Sequence, residues 1–167
     1  FALRGGFSYL PGTKDEVENI EKELKLKRYD VTLYEGENGS EESFKLLSSQ
    51  PLKLLHVATH GFFTPKGRRT KFDNLFKSVN KYSSLEDALM NSSGLLMAGD
   101  VNSINGRAKS GVDDGVLTSK EISSLDFTHV ELAVLSACET ALGEIAGEGV
   151  YGLQRAFKKA GAHTLIM

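Results

Sequence analysis

The sequence predicts an α/β domain in which a mostly parallel sheet is covered by helices on both faces. Three observations predict it. Two apolar runs of strand length, Leu52–Thr59 and Val130–Ala137, stand far apart; capping signals open helical segments between them; and strand and helix signals alternate along the 167 residues. With 40% hydrophobic and 25% charged residues, the chain has apolar surface for a single core, so residues 1–167 read as one domain.

The elements follow in order. Thr13-Lys14-Asp15-Glu16 reads as a capping box, in which hydroxyl and carboxylate satisfy each other's backbone donors, and Val17, Ile20 and Leu24 recur at helical spacing. A helix from about Lys14 to Lys27 is expected. Tyr29–Tyr34 has strand composition and is closed by the turn cluster Glu35-Gly36-Glu37-Asn38-Gly39. Ser40, with Glu41 and Glu42 complementing the helix dipole, opens a short second helix. After Pro51, Leu52–Thr59 is nearly continuously apolar, as in a strand buried on both faces, and it ends at His60-Gly61.

From Phe62 to about Ser93 periodicity is lost and six basic residues appear, Lys66, Arg68, Arg69, Lys71, Lys77 and Lys81. An insertion loop over 62–93 is expected, solvated and a candidate cleavage segment. Gly94–Ala98 is apolar again, and a polar loop runs on to Gly115. Thr118-Ser119-Lys120-Glu121 is a second capping box, starting a helix that stops near Leu125. Val130–Ala137 is the second apolar strand and delivers Cys138; a helix over about Glu148–Ala160 follows, with Val150, Leu153, Phe157 and Ala160 on one side. The chain starts at Phe1 and stops inside the apolar run Thr164–Met167, which reads as a piece of a longer polypeptide.

Composition excludes several functions. Twenty basic residues against 22 acidic ones give a net charge of −2, so no global positive field holds nucleic acid or an anionic membrane. One cysteine makes no intramolecular disulfide and no Cys/His cluster has zinc-ligand spacing, so no metal is assigned and a reducing, cytoplasmic compartment is expected. No apolar run approaches the ~20 residues of a membrane span. Gly147-Glu148-Gly149-Val150-Tyr151-Gly152 fits the dinucleotide pattern GxGxxG, but it stands too far beyond the strand for a tight turn, and Glu144 and Glu148 repel phosphate. No cofactor is expected.

In open parallel sheets, sites form at the carboxyl ends of strands, where His60 and Cys138 stand. A thiolate is a nucleophile, and an imidazole within reach can take its proton and deliver it to a leaving amine. Gly61 lacks a Cβ, so its N–H can approach a reacting carbonyl and form an oxyanion hole with the N–H of Cys138. Spacing alone leaves two readings open, this pair or a buried, inert cysteine and a structural histidine. His56, four residues before His60, is expected on the same sheet face, either orienting the catalytic ring or hydrogen-bonded within the strand.

The stretches His56-Val-Ala-Thr-His60-Gly61-Phe-Phe, Gly94-Leu-Leu-Met-Ala-Gly99, Asp114-Gly-Val-Leu-Thr118-Ser-Lys-Glu121-Ile122 and Leu135-Ser-Ala-Cys138-Glu-Thr140 resemble the CHAT domain family. Gly147–Ala162 and Leu10-Pro-Gly-Thr-Lys-Asp-Glu16 continue the likeness in order. Members of that family are caspase-fold cysteine peptidases, often attached to tetratricopeptide repeats. The resemblance implies a caspase-like sheet, His60 as general base and acid, Cys138 as nucleophile, a protein or peptide substrate, and flanking repeat or regulatory domains as partners. The alternative it leaves is a catalytically silent interaction or regulatory scaffold. Ala141 stands where the family usually has glycine, stiffening the loop after the nucleophile. Related metacaspases meet a basic substrate side chain with an aspartate two positions before the cysteine. Ser136 stands there, which leaves Asp113, Asp114 and Glu139 as alternative pocket acids.

Overall fold

The computed structural model describes residues 10–63, 90–98, 115–137 and 146–167, with the backbone alone for 146–150. The first helix, α1, runs Pro11–Leu26 and begins earlier than its sequence signal. Pro11 suits the first turn because its missing N–H is one the helix leaves unpaired there in any case. Leu10 is the cap residue and supplies no side-chain cap; the Thr13 hydroxyl donates to the Leu10 carbonyl at 2.8 Å. The expected capping box is therefore not formed, and Glu16 sits too far into the helix to close one. Arg28 turns the chain out of the helix in the left-handed region (φ 65°).

Tyr29–Tyr34, expected as a strand, forms none among the described residues. Its β-forming composition is a preference for a pleated, half-buried surface, and here Tyr29 and Tyr34 face solvent. Helix α2, Glu41–Lys45, is the short helix expected, with the Ser40 hydroxyl accepting from the Ser43 N–H at 3.1 Å. Glu41 is buried, accepts from the Gly115 N–H at 2.9 Å and pairs with Lys45 at 2.6 Å. That carboxylate ties the start of the chain to the loop that enters the next sheet.

The strands form two sheets rather than one. In the first, β1 (Leu54–Ala58), β5 (Leu132–Ser136) and β6 (Thr164–Ile166) run parallel in the order β1-β5-β6. In the second, β2 (His60–Phe63), β3 (Ser93–Leu96) and β4 (Val116–Thr118) run antiparallel in that order. A mixed α/β fold with a parallel sheet and helices is what the sequence predicts. The second sheet is the addition, made because the chain breaks at Thr59, whose hydroxyl donates to the Leu96 carbonyl, and then pairs with β3. As a result the ends of the expected 62–93 loop belong to strands: Phe62 and Phe63 lie in β2 and Ser93 opens β3. The basic run Lys66 to Lys81 lies outside the described residues.

Strand β1 corrects a second expectation. It is not buried on both faces: Leu55 and Val57 are buried while His56 and Ala58 are half-buried and Leu54 is exposed. Strand β5 alternates in the same phase, with Ala133 and Leu135 buried, and the register Leu55↔Ala133, Val57↔Leu135 stacks these side chains on one face. The opposite face carries His56, Ala58, Val134 and Ser136 toward α1, which packs on β1.

Helix α3 (Ser119–Ile122) has the capping box its sequence announces, with Thr118 Oγ1 accepting from the Glu121 N–H at 3.2 Å and Glu121 accepting from the Thr118 N–H at 2.9 Å. Helix α4 (Ala146–Ala160) stops at Gly161, whose left-handed backbone (φ 99°) lets the Ala162 N–H reach the Phe157 carbonyl at 3.1 Å. The three glycines of the GxGxxG pattern lie within this helix, not in a turn before it. Leu153, Ala156, Phe157 and Ala160 of α4 join Leu55, Val57, Ala133, Leu135, Leu95 and Leu117 in one core. Phe127 stacks on Phe157 with centroids 5.9 Å apart and meets Phe44 edge-on at 5.8 Å, linking α2 to α4.

Candidate active site

The junction between β1 and β2 and the carboxyl end of β5 converge. His60 opens β2 instead of closing β1, so it belongs to the antiparallel sheet, where it is half-buried opposite Leu96. His56 and His60 therefore stand on different sheets, and the expectation of a shared face is overturned by the break at Thr59.

Gly61 is buried, and a Cβ built on it would lie 2.9 Å from the Ala137 carbonyl oxygen. Real Cβ atoms do not come this close to a backbone oxygen, so only glycine admits this approach. The contact joins the residue after His60 to the residue before Cys138. The two sheets meet here backbone to backbone. Cys138, Glu139, Asp113 and Asp114 lie outside the described residues.

Ser136 lies at the end of β5, paired in register with Ala58 of β1. Its hydroxyl donates to Glu16 Oε2 at 3.0 Å. The other oxygen of the same carboxylate, Glu16 Oε1, lies 2.9 Å from His56 Nε2. A carboxylate only accepts, so Nε2 carries the proton of this bond. Glu16 thus bridges two neighbouring strands from α1, and His56 takes a partner on the helix rather than the ring of His60.

Sequence reasoning missed Glu16, which it spent on a helix cap. The available signal was its place beside Val17 and four residues before Ile20, on the helix face that turns inward. Two other sets of titratable groups need no functional reading. Glu41 is held by Gly115 and Lys45, and Asp126 by Thr128 and Ser49. Among the described residues no group of three or more His, Cys, Asp or Glu could hold a metal ion. No described helix is long and apolar enough to cross a membrane.

The arrangement places Gly61, the residue after His60, against the carbonyl of Ala137, the residue before Cys138 in sequence. A histidine, a thiolate and backbone N–H groups are the groups that can supply a base, a nucleophile and an oxyanion donor. No curated protein and no solved structure matches the chain. The model of the CHAT domain matches residues 3–167. With that match spanning nearly the whole length and a mixed α/β fold consistent with a caspase-like sheet, the chain belongs to the CHAT domain family.

Proposed function

We propose that the chain is a cysteine endopeptidase domain that hydrolyses peptide bonds of protein substrates through His60 and Cys138. The observation that carries this reading is the approach of Gly61 to the Ala137 carbonyl, which brings the neighbours of both residues together across two sheets. Family membership adds to it, since the CHAT family is related to cysteine peptidases.

In the proposed cycle His60 takes the Cys138 proton and Sγ attacks the carbonyl carbon, while the N–H groups of Gly61 and Cys138 hold the oxyanion. The C–N bond then breaks as the His60 imidazolium gives its proton to the leaving amine, leaving a thioester on Cys138. Water, deprotonated by His60, attacks that thioester; the carboxylic product leaves and the thiolate is restored. Asp114 and Glu139 are proposed to meet the substrate together with the Ser136 end of β5. Flanking repeat or regulatory domains of a longer polypeptide are the proposed partners, and the cytoplasm the proposed compartment.

The decisive experiment digests a proteome with the full chain and sequences the new N termini, with Cys138→Ala as control. Cleavage sites present with the wild type and absent with the variant are expected, and their flanking residues report the specificity. Identical N termini from both proteins would replace the peptidase reading with that of a silent scaffold.

A further inference from the structure

Glu16 stands far from His60 and Cys138 in sequence, yet its carboxylate touches both strands whose ends form the site. Its partners are His56 on β1 at 2.9 Å and Ser136 on β5 at 3.0 Å. The bridge is sheltered, with His56 only 13% exposed and Glu16 33%. A carboxylate facing two donors makes stronger hydrogen bonds than a neutral acceptor would. On the other side, the Ala137 carbonyl lies so near Gly61 that no Cβ would fit between them. The dipeptide Ser136-Ala137, immediately before Cys138, is therefore held from two directions, by a charge-assisted bond to α1 and by a close backbone contact to β2.

We infer that Glu16 is a positioning residue: its bridge between His56 and Ser136 fixes Ser136-Ala137, the two residues before Cys138 in sequence, beside Gly61. This inference rests on the proposed dyad. A misplacement of about 1 Å at a reacting group can cost about 10²-fold in rate, so a clamp two residues from the nucleophile has leverage that an equal bond elsewhere lacks. The carboxylate also replaces solvent for His56 and Ser136, neither of which has another described side-chain partner that would fix the strand end.

The test uses the chain's single cysteine, which makes thiol labelling specific to Cys138. The second-order rate constant for alkylation by iodoacetamide near neutral pH is measured in the full chain for the wild type, His60→Ala, Glu16→Ala, Glu16→Gln and Ser136→Ala. A thermal melt of each establishes the temperature at which all are folded. Glu16→Ala is expected to slow alkylation by roughly tenfold or more. Ser136→Ala, a milder change, should slow it in the same direction, and the double variant should be no slower than Glu16→Ala alone. Glu16→Gln should recover most of the wild-type rate, because the amide oxygen accepts from Ser136 and the amide N–H serves the other tautomer of His56. Wild-type rates in folded Glu16→Ala and Ser136→Ala would overturn the inference while leaving the dyad intact. Failure of Glu16→Gln to recover any rate would also overturn it. A His60→Ala rate equal to the wild type would instead bring down the dyad on which it rests.

Discussion

The two sheets that meet where Gly61 approaches Ala137 are built by different rules. Strands β1 and β5 of the parallel sheet alternate, with Leu55, Val57, Ala133 and Leu135 in the core and His56 and Ser136 on the face toward α1. The antiparallel sheet is buried on both faces along its centre: Gly61, Phe62, Ser93, Gly94, Leu95, Val116 and Leu117 are all buried, and the Ser93 and Ser119 hydroxyls bond each other at 2.9 Å. Its strands approach their neighbours through glycine. A Cβ on Gly94 would run into the Leu117 carbonyl and come within 2.8 Å of the Thr118 Cα. One sheet has a core face and a polar face covered by α1, and the other is closed by backbone approaches that leave no space for a Cβ. The end of β5 is bonded to a side chain on α1, whereas Gly61 of β2 is fixed by close packing.

This contrast makes predictions of decreasing size. Phe157 is fully buried in the core that both sheets share. Phe157→Ala is expected to cost about 3–5 kcal/mol in urea unfolding, with a single transition; two separate transitions would mean that the sheets do not share one core. Gly94→Ala adds only a methyl group, yet it should cost about 1–3 kcal/mol by overpacking the antiparallel sheet. A neutral effect in the same urea titration would show that this sheet has more give than its glycines imply.

The smallest effect lies at the entrance to the parallel sheet, in the loop before β5. Hydrogen bonds from the Thr128 side chain and backbone, and from the Ser49 hydroxyl, hold the Asp126 carboxyl below its ordinary value of 3.8. The folded state therefore takes up this proton less readily than the unfolded chain. The stability it contributes is present above pH 3.8 and is lost as pH falls through the lower folded value. Asp126→Asn should lower the Tm slightly near neutral pH, and the gap to wild type should close in acid. A gap that widens in acid would contradict the sign.

How much was legible in the sequence depended on how local the cause was. The Thr118 capping box formed as read, because both partners sit within one helical turn. The Leu153, Phe157 and Ala160 stripe of α4 is buried as its spacing requires, and β5 and β6 fall where the apolar runs placed them. The Thr13–Glu16 box failed although its letters are equally good, because Pro11 started the helix earlier and changed which turn Glu16 occupies. Tyr29–Tyr34 failed for want of a described pairing strand, which a strand's own composition does not supply. For the candidate site, His60, Gly61 and Cys138 were picked out by residue type and strand-end position. Neither the separate sheet that carries His60 nor the bonds of Glu16 to His56 and Ser136 were visible.

The sequence by itself determined the family, the two apolar strands, the long helix stripe and the residues whose chemistry suits a peptidase, since these follow from side-chain type and short-range periodicity. Only the tertiary structure decided who meets whom. Glu16 reaches His56 across 40 positions and Ser136 across 120. Gly61 rests on Ala137 because two sheets close on each other there. Hydrogen bonds and close backbone contacts act over about 3 Å. The partner a side chain takes is set by what folding brings within that distance, and the spacing of letters along the chain carries no record of it.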